Sequence, residues 1–494
     1  MQVATFEGVM ATASENLAAP FLPLYAYYLG ASSTQIGLLT ALPALLANVL
    51  QIPAAFLAER WRRRKLMCVA GIASQRLPFV AVAALPFFLG GQEALAAFMA
   101  LLCVRAGLGS AATPAWTSLM ADLTPRRLRG TYFANRNILC NVAALAAALG
   151  AAVVMRFLGE PAGYQVVFAL AGILGGIGAY AFLRFPDFDS EPRRHGRAPG
   201  RPPGRRAVPE PENKRLSVPA TGGAHRGANL RHALEAVKAE RRFLAFTLSS
   251  FLWGFGVTLP QPLFAVYFVD ELGGTAGMWG LVSGASIVAT ILGQRYWGPL
   301  ADRLGGKQVM AVSGIFCGMI PLWWVLAQAP GHGYIINLLG GYFWAGYNLA
   351  AFNLLLEVTP DEHRTTFVAG YNGLVGVSHF LGPLIGGIVA DYTGIEPVML
   401  VSAALRLLGL AAFVAAVRSG PAAPFRLGDY LRWPGHRVRR HGPRRQRERS
   451  PGVQRKTLNP ETFNSQSFSP LVRCSRAAYC ILRSSASCST EARV

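Results

Sequence analysis

Five ionisable side chains interrupt the long apolar stretches of this chain: Glu15, Arg76, Arg105, His379 and Arg406. A charge placed in such a stretch costs at least about 2.5–3.5 kcal/mol on insertion scales, so a functional role is the default expectation for each. Glu15 is the carboxylate of the set and is the group able to bind and release a proton against a nearby cation. His379 could titrate near neutral pH. A lone histidine is nonetheless more often just hydrogen-bonded, and Arg76 and Arg406 read as structural.

A second group of residues is suited to holding a solute. Trp253, Trp344 and Tyr347 fall in two aromatic-rich stretches, with Asn348 beside them and Gln261 between Pro260 and Pro262. Asn16 adjoins Glu15. Aromatic faces with a few amides can stack an aromatic or amphipathic solute, or bind a cation. Helix packing and interfacial anchoring are the competing explanation for such aromatics. Pro20 and Pro23, like Pro260 and Pro262, remove backbone donors and should kink or flex the helices that hold them.

These residues need elements to position them. The chain has 494 residues, of which 52% are hydrophobic and 15% charged, against roughly 25% charged in soluble domains. Mean hydropathy is +0.33. A spanning helix needs about 20 mostly apolar residues. Such runs fall near 4–29, 35–58, 66–89, 94–120, 131–157 and 164–185, then near 243–269, 277–301, 308–328, 334–356, 366–391 and 397–417. The expected fold is all-α and membrane-integral, with twelve transmembrane helices in bundles at 1–185 and 243–418. Between them lies a basic loop, 186–242, and after them a basic tail, 419–494, both expected to be disordered. Leu230, Leu234 and Val237 suggest a short amphipathic helix near the end of that loop. The first apolar run begins almost at Met1 without a basic leader or cleavage site, so it reads as span 1.

The net charge of +22 could suggest nucleic acid, but its distribution does not. Arg60, Arg62, Arg63, Arg64 and Lys65 follow span 2; Arg126, Arg127 and Arg129 follow span 4; Arg303 and Lys307 follow span 8; Arg364 follows span 10. The alternate loops carry few cations. This is the positive-inside pattern, which places both termini and the central loop in the cytoplasm, beside anionic membrane lipids. The seven cysteines show no metal or disulfide spacing. There is no P-loop, catalytic triad or metal-ligand cluster in the sequence, so neither an ATP-driven pump nor an enzyme is expected, and no cofactor.

The chain repeats itself. Leu57-Ala58-Glu59-Arg60 recurs as Leu300-Ala301-Asp302-Arg303. Asp122, Thr124, Pro125, Arg129 and Asn137 recur as Glu357, Thr359, Pro360, Arg364 and Asn372. The two blocks occupy equivalent loops of two six-helix halves. Parallel halves related by an axis along the membrane normal are one of the recognised transporter architectures.

Gly298-Pro299-Leu300-Ala301-Asp302-Arg303-Leu304-Gly305-Gly306-Lys307 closely resembles the loop signature of the major facilitator superfamily. The first-half copy, Leu57 to Lys65, is a degenerate version, and Asp122, Pro125, Arg129 and Gly130 are similar to the family's next conserved loop. Arg105 with Gly109, Ala111 and Ala112 partly resembles a motif of proton-coupled members. Gly382-Pro383-Leu384-Ile385-Gly386-Gly387 looks like the family's antiporter element, but it stands in span 11 and not in span 5. The likeness is greatest to bacterial permeases of unassigned substrate.

The resemblance implies the two-bundle fold and a cavity lined by spans 1, 4, 7 and 10. Glu15 and Arg105 then become the proton-coupling pair, with His379 a further candidate. The loop carboxylates Glu59, Asp302, Asp122 and Glu357, near Arg60, Arg303, Arg129 and Arg364, could form gating ion pairs at the cytoplasmic ends, a role the repeat favours over charges that merely fix topology. The implied protein is a monomeric secondary transporter of a small molecule in the bacterial inner membrane, proton-coupled, with efflux slightly favoured. Uptake symport and a non-transporting receptor are the alternatives.

Overall fold

The computed structural model describes residues 2–61, 64–123, 129–184, 240–360 and 364–417, all within one structural unit, Met1–His436. Most of the basic central loop, the segment around Leu230–Val237 and the tail lie outside the described residues.

All regular structure among the described residues is helical. The first half comprises α1 (Gln2–Ala18), α2 (Leu22–Tyr28), α3 (Ser33–Trp61), α4 (Arg64–Ser74), α5 (Leu77–Ala84), α6 (Gly91–Leu123), α7 (Arg129–Leu158) and α8 (Ala162–Leu183). The second comprises α9 (Arg241–Thr258), α10 (Leu263–Asp270), α11 (Ala276–Leu304), α12 (Gly306–Val325), α13 (Pro330–Val358), α14 (Arg364–Thr393) and α15 (Ile395–Ala416). Three crossings are broken helices: α1–α2, α4–α5 and α9–α10. Counting each as one gives the expected twelve.

Ten crossings satisfy the length and hydropathy requirement unaided. The other two are the broken α1–α2 crossing and α13. The first is divided by a tight turn at Ala19–Phe21 and carries Glu7 and Glu15. The second contains His332, Asn337, Asn348 and Asn353. Lipid alone would not favour so much polarity, so both crossings depend on protein neighbours to satisfy it.

Proline explains the breaks. Pro20 and Pro23 stand at the starts of the turn and of α2. Pro260 and Pro262 separate α9 from α10. Each lacks the N–H that would continue the backbone ladder. The third break, at Gln75–Arg76 just ahead of Pro78, was not anticipated from the sequence.

The repeat is visible in the packing. The first crossing packs on the fifth and sixth (α1 on α7 and α8), and the seventh packs on the eleventh and twelfth (α9 on α14 and α15). In the same way α3 meets α6 as α11 meets α13. The halves meet chiefly along α3–α14 and α7–α11. Gly37 lies against the Pro383 carbonyl and Gly387 against the Ser33 carbonyl, where any Cβ would collide with backbone. Two glycines of the span 11 element thus find a packing role: Gly386 sits against the Leu259 backbone and Gly387 against α3.

The hydrophobic clusters show where the halves are joined. The largest spans both, combining Phe21, Leu24, Phe98 and Phe168 with Leu259, Leu263, Val266 and Val398. It lies toward the end remote from the basic loops. Toward the basic end, Cys68, Ile72, Met120 and Phe182 form a cluster within the first half. Phe243, Leu300, Val309 and Phe413 belong to a separate cluster within the second. Polar links reinforce the joined end. The Tyr27 hydroxyl donates to Asp270 Oδ1 at 2.6 Å, and the Trp279 indole donates to the Pro20 carbonyl at 3.0 Å.

Candidate functional site

The ionisable residues of the first half converge. Glu15 projects from α1 and is half-buried; its Oε2 accepts from Arg105 Nη2 on α6 and lies 3.3 Å from Arg76 Nη1. The pair expected from spans 1 and 4 is therefore formed, but with a third member. Arg76, expected to be merely structural, enters from the α4–α5 break and is 7% exposed. The unwound Gln75–Arg76 turn is what delivers its side chain there.

The cluster is held from several sides. Arg76 Nη1 also lies 3.3 Å from Ser14 Oγ, which itself donates to the Ala171 carbonyl at 2.6 Å. Gly175 on α8 leaves the room that the Arg76 stem occupies. The Arg105 guanidinium stands over the Phe79 ring at 4.5 Å, a contact worth about 0.5–2 kcal/mol. Two guanidiniums share one carboxylate oxygen, and the Nε of each is buried without a partner. Such an arrangement is polarised and incompletely satisfied, which makes it responsive to a change of charge nearby.

Sequence reasoning missed one carboxylate. Glu7 on α1 is 4% exposed, and its Oε2 lies 3.9 Å from Arg136 Nη2 on α7. It was passed over because it stands near the start of the first apolar run, where a charge reads as a terminal one. Among the described residues, no acid pairs with the buried arginine of the second half. Arg406 on α15 is 3% exposed and points its guanidinium at the carbonyls of Gly256, Val257 and Cys317 at 3.1–3.4 Å.

The aromatic candidates also come together. Trp253 on α9 and Tyr347 on α13 stack at 4.4 Å and 17°, and Trp344 stacks on Tyr347 at 5.5 Å and 11°. Trp253 and Tyr347 are buried within the second-half cluster, whereas Trp344 is half-buried. The Trp253 indole N–H is buried and has no hydrogen-bond acceptor. The remaining candidates stand apart from this array in their bonding. Asn16 hydrogen-bonds back to the Thr12 carbonyl at 2.9 Å. Gln261 is exposed in the α9–α10 break, and Asn348 and His379 are exposed on α13 and α14. No ion pair joins His379 to Glu15 among the described residues.

At the basic end, Gly305 closes α11 and opens α12 with φ +90°. That backbone conformation gives the glycine of the loop signature its physical reason. Asp302 and Arg303 are exposed, and Lys307 is half-buried. A side chain at Gly298 would meet open space. Glu357 pairs with Arg242 at 2.9 Å, a partner from the start of α9 that was not foreseen. The side chains of Glu59, Arg60, Asp122, Arg129 and Arg364 lie outside the described residues. A cleft of about 770 Å³ opens at the other end, beside Arg156, Glu160 and Thr275, and includes none of the sequence candidates.

Comparison with known proteins places this geometry in a wider set. The sequence model of the Major Facilitator Superfamily matches residues 6–261 and 246–434. The chain is 31% identical over 172 residues to the multidrug resistance protein MdtG of Salmonella choleraesuis (strain SC-B67), covering 34% of this chain and 42% of that one. It is 29% identical over 184 residues to the MdtG of Escherichia fergusonii, covering 35% and 43%. These matches span about two-fifths of the length of the curated relatives. Among solved structures, a single-residue variant of the nucleoside transporter NupG superposes with a TM-score of 0.63 at 14% identity, covering 84% of this chain and 100% of that one. A bacterial homologue of the lysosomal transporter Spinster, inward-facing and unoccupied, gives 0.61 at 15% identity, covering 85% and 98%.

Proposed function

This chain belongs to the Major Facilitator Superfamily, and from that premise we propose that it is a proton-coupled secondary transporter exporting small amphipathic solutes across the bacterial inner membrane. The observation that carries the reading is the convergence of Arg105 and Arg76 on Glu15 inside the first half. A soluble-style structural bridge would not be worth burying there, because two desolvated charges recover little net stability even when well paired. A charge cluster that a proton or a solute can rearrange has a use that its cost does not contradict.

The basic loops support an orientation with both termini in the cytoplasm. The end joined by Tyr27–Asp270 and by the shared hydrophobic cluster then faces outward, and on our reading the halves part on the cytoplasmic side. In that state a solute from the cytoplasm or inner leaflet reaches the space between the halves. The stacked Trp253, Tyr347 and Trp344 offer it an aromatic face in the second half, with Trp344 the accessible member. The Glu15–Arg105 pair answers to it from the first half. Uptake of a proton in the first half changes how Arg76 and Arg105 are shared around Glu15 and favours one of the two arrangements of the halves. The protein acts as a monomer. The multidrug resistance relatives support export over uptake.

Inside-out vesicles with an imposed proton gradient test the reading. A pH-quenched dye reports the gradient while amphipathic cations, sugars and amino acids are added singly. Gradient collapse by an amphipathic compound, abolished in Glu15→Gln, is the expected result. Gradient-driven uptake of a sugar or amino acid in right-side-out vesicles, with no response to amphipathic compounds, would replace export by symport.

A further inference from the structure

Helix α1 carries two carboxylates, and their surroundings differ in kind. Glu15 is half-buried and receives two guanidiniums directly. Glu7, two turns nearer the basic end, is 4% exposed and has no cation within hydrogen-bond reach. Its Oε2 is buried without a donor.

Among the described residues, Gly178 of α8 lies against the Glu7 backbone, and side chains of three other helices surround the carboxyl group. From α7, Arg136 approaches Oε2 only to 3.9 Å. Its guanidinium is instead committed elsewhere: it stands over the Trp116 ring at 5.0 Å, its Nε donates to the Ala4 carbonyl at 3.5 Å, and it lies in the space left by Gly8. From α6, the Trp116 side chain hydrogen-bonds the carboxyl group. From α4, Cys68 joins Ala4 of α1 in one buried cluster. Thr5, two residues before, donates to Tyr132 on α7 at 3.4 Å. Finally, Arg76 is bonded to Glu15, two turns further along the same helix.

A buried carboxylate whose cation stops short of bonding it is poorly compensated when ionised, and taking up a proton removes that penalty. Glu15, by contrast, is compensated by two guanidiniums on one oxygen. We propose that Glu7 is the carboxylate that gains and loses the coupling proton, and that Arg76 transmits its change of charge to the Glu15–Arg105 pair. The proton forms an O–H bond at the orphan Oε2. With Glu7 neutral, Arg76 is pulled by Glu15 alone; with Glu7 ionised, it is pulled by both. Glu15 and Arg105 thus respond to a proton bound two turns away. This inference rests on the reading of the chain as a proton-coupled transporter.

The test is pH-difference infrared spectroscopy of the full chain in liposomes, following the carbonyl band of a carboxylic acid shielded from water. The band should grow as pH falls in the wild type and in Glu15→Gln, and be absent in Glu7→Gln. Arg136→Met should move its midpoint to higher pH, because removing the nearest cation favours the neutral acid; this second variant decides the matter if Glu7→Gln fails to fold. A band retained in Glu7→Gln, or a midpoint unmoved in Arg136→Met, overturns the proposal. The dye assay separates the two levels of inference. A Glu7-dependent band without solute-driven proton movement would leave the Glu7 site standing and sink the transport reading. Proton-coupled movement that survives in Glu7→Gln would do the reverse.

Discussion

Asp391 Oδ1 accepts the backbone N–H of Ser33 at 2.7 Å, across the boundary between the two halves of the protein. Its second oxygen accepts the Thr34 N–H at 2.9 Å. These are free donors at the first turn of α3, so a carboxylate on α14 caps a helix of the other half. Charge and helix dipole act together at such a position.

Removing that cap should loosen the joined end. Asp391→Ala should cost about 1 kcal/mol, as N-cap losses do, which is roughly a fivefold shift in a two-state equilibrium. Spin labels at Tyr28 and Tyr392, both exposed at this end, would report it in a background free of native cysteines. The longer-distance population should grow in Asp391→Ala. An unchanged distance distribution would show that the contact does not bias the halves.

Gly387 and Gly37 permit the same joint by letting α3 and α14 touch at backbone level. Gly387→Val should therefore prevent close approach and hold this end apart. Transport should fall by at least tenfold while thermal unfolding in detergent moves only modestly. Full activity in Gly387→Val would mean the two helices slide past one another without needing the glycine.

The charge cluster makes a prediction about stability and function separately. Glu15→Gln leaves Arg76 and Arg105 facing each other without an anion, and breaking buried pairs costs about 3–5 kcal/mol. Glu15 is 41% exposed by side chain, so the low end of that range is expected. Adding Arg76→Met should restore most of the unfolding temperature, since one guanidinium is easier to accommodate than two. Transport should stay lost in the double variant. Restoration of both would show that the cluster only holds the helices together.

The aromatic array predicts a graded effect. Trp344→Ala removes the half-buried ring and should weaken binding of an aromatic solute about two- to tenfold, in line with about 0.5–1.5 kcal/mol for such stacking. Trp253→Phe retains an aromatic ring but deletes the unpartnered N–H. If that N–H meets a solute, affinity falls while the unfolding temperature holds. Binding measured by quenching of tryptophan emission distinguishes the cases; no change in either variant would assign these rings to packing alone.

The sequence by itself determined the helical, membrane-integral character of the chain and its two halves. Hydropathy is a local property, and a run of about 20 apolar residues leaves the backbone no alternative to a helix in lipid. The proline pairs at 20 and 23 and at 260 and 262 likewise act on their own backbone, so the breaks at the first and seventh crossings were legible in advance. Glu15 and Arg105 could be singled out because a charge in an apolar run is conspicuous. What surrounds them could not. Arg76 joins Glu15 because α4 ends before Pro78 and turns its side chain inward. Glu7 is buried because α7 and α8 pack along α1, and Arg406 is satisfied by carbonyls of other helices. Only the tertiary structure decided these outcomes, and also that the halves are joined at the end remote from the basic loops. Which side chains meet depends on the rotation and offset of each helix against its neighbours, and that is set by packing between segments far apart in the chain.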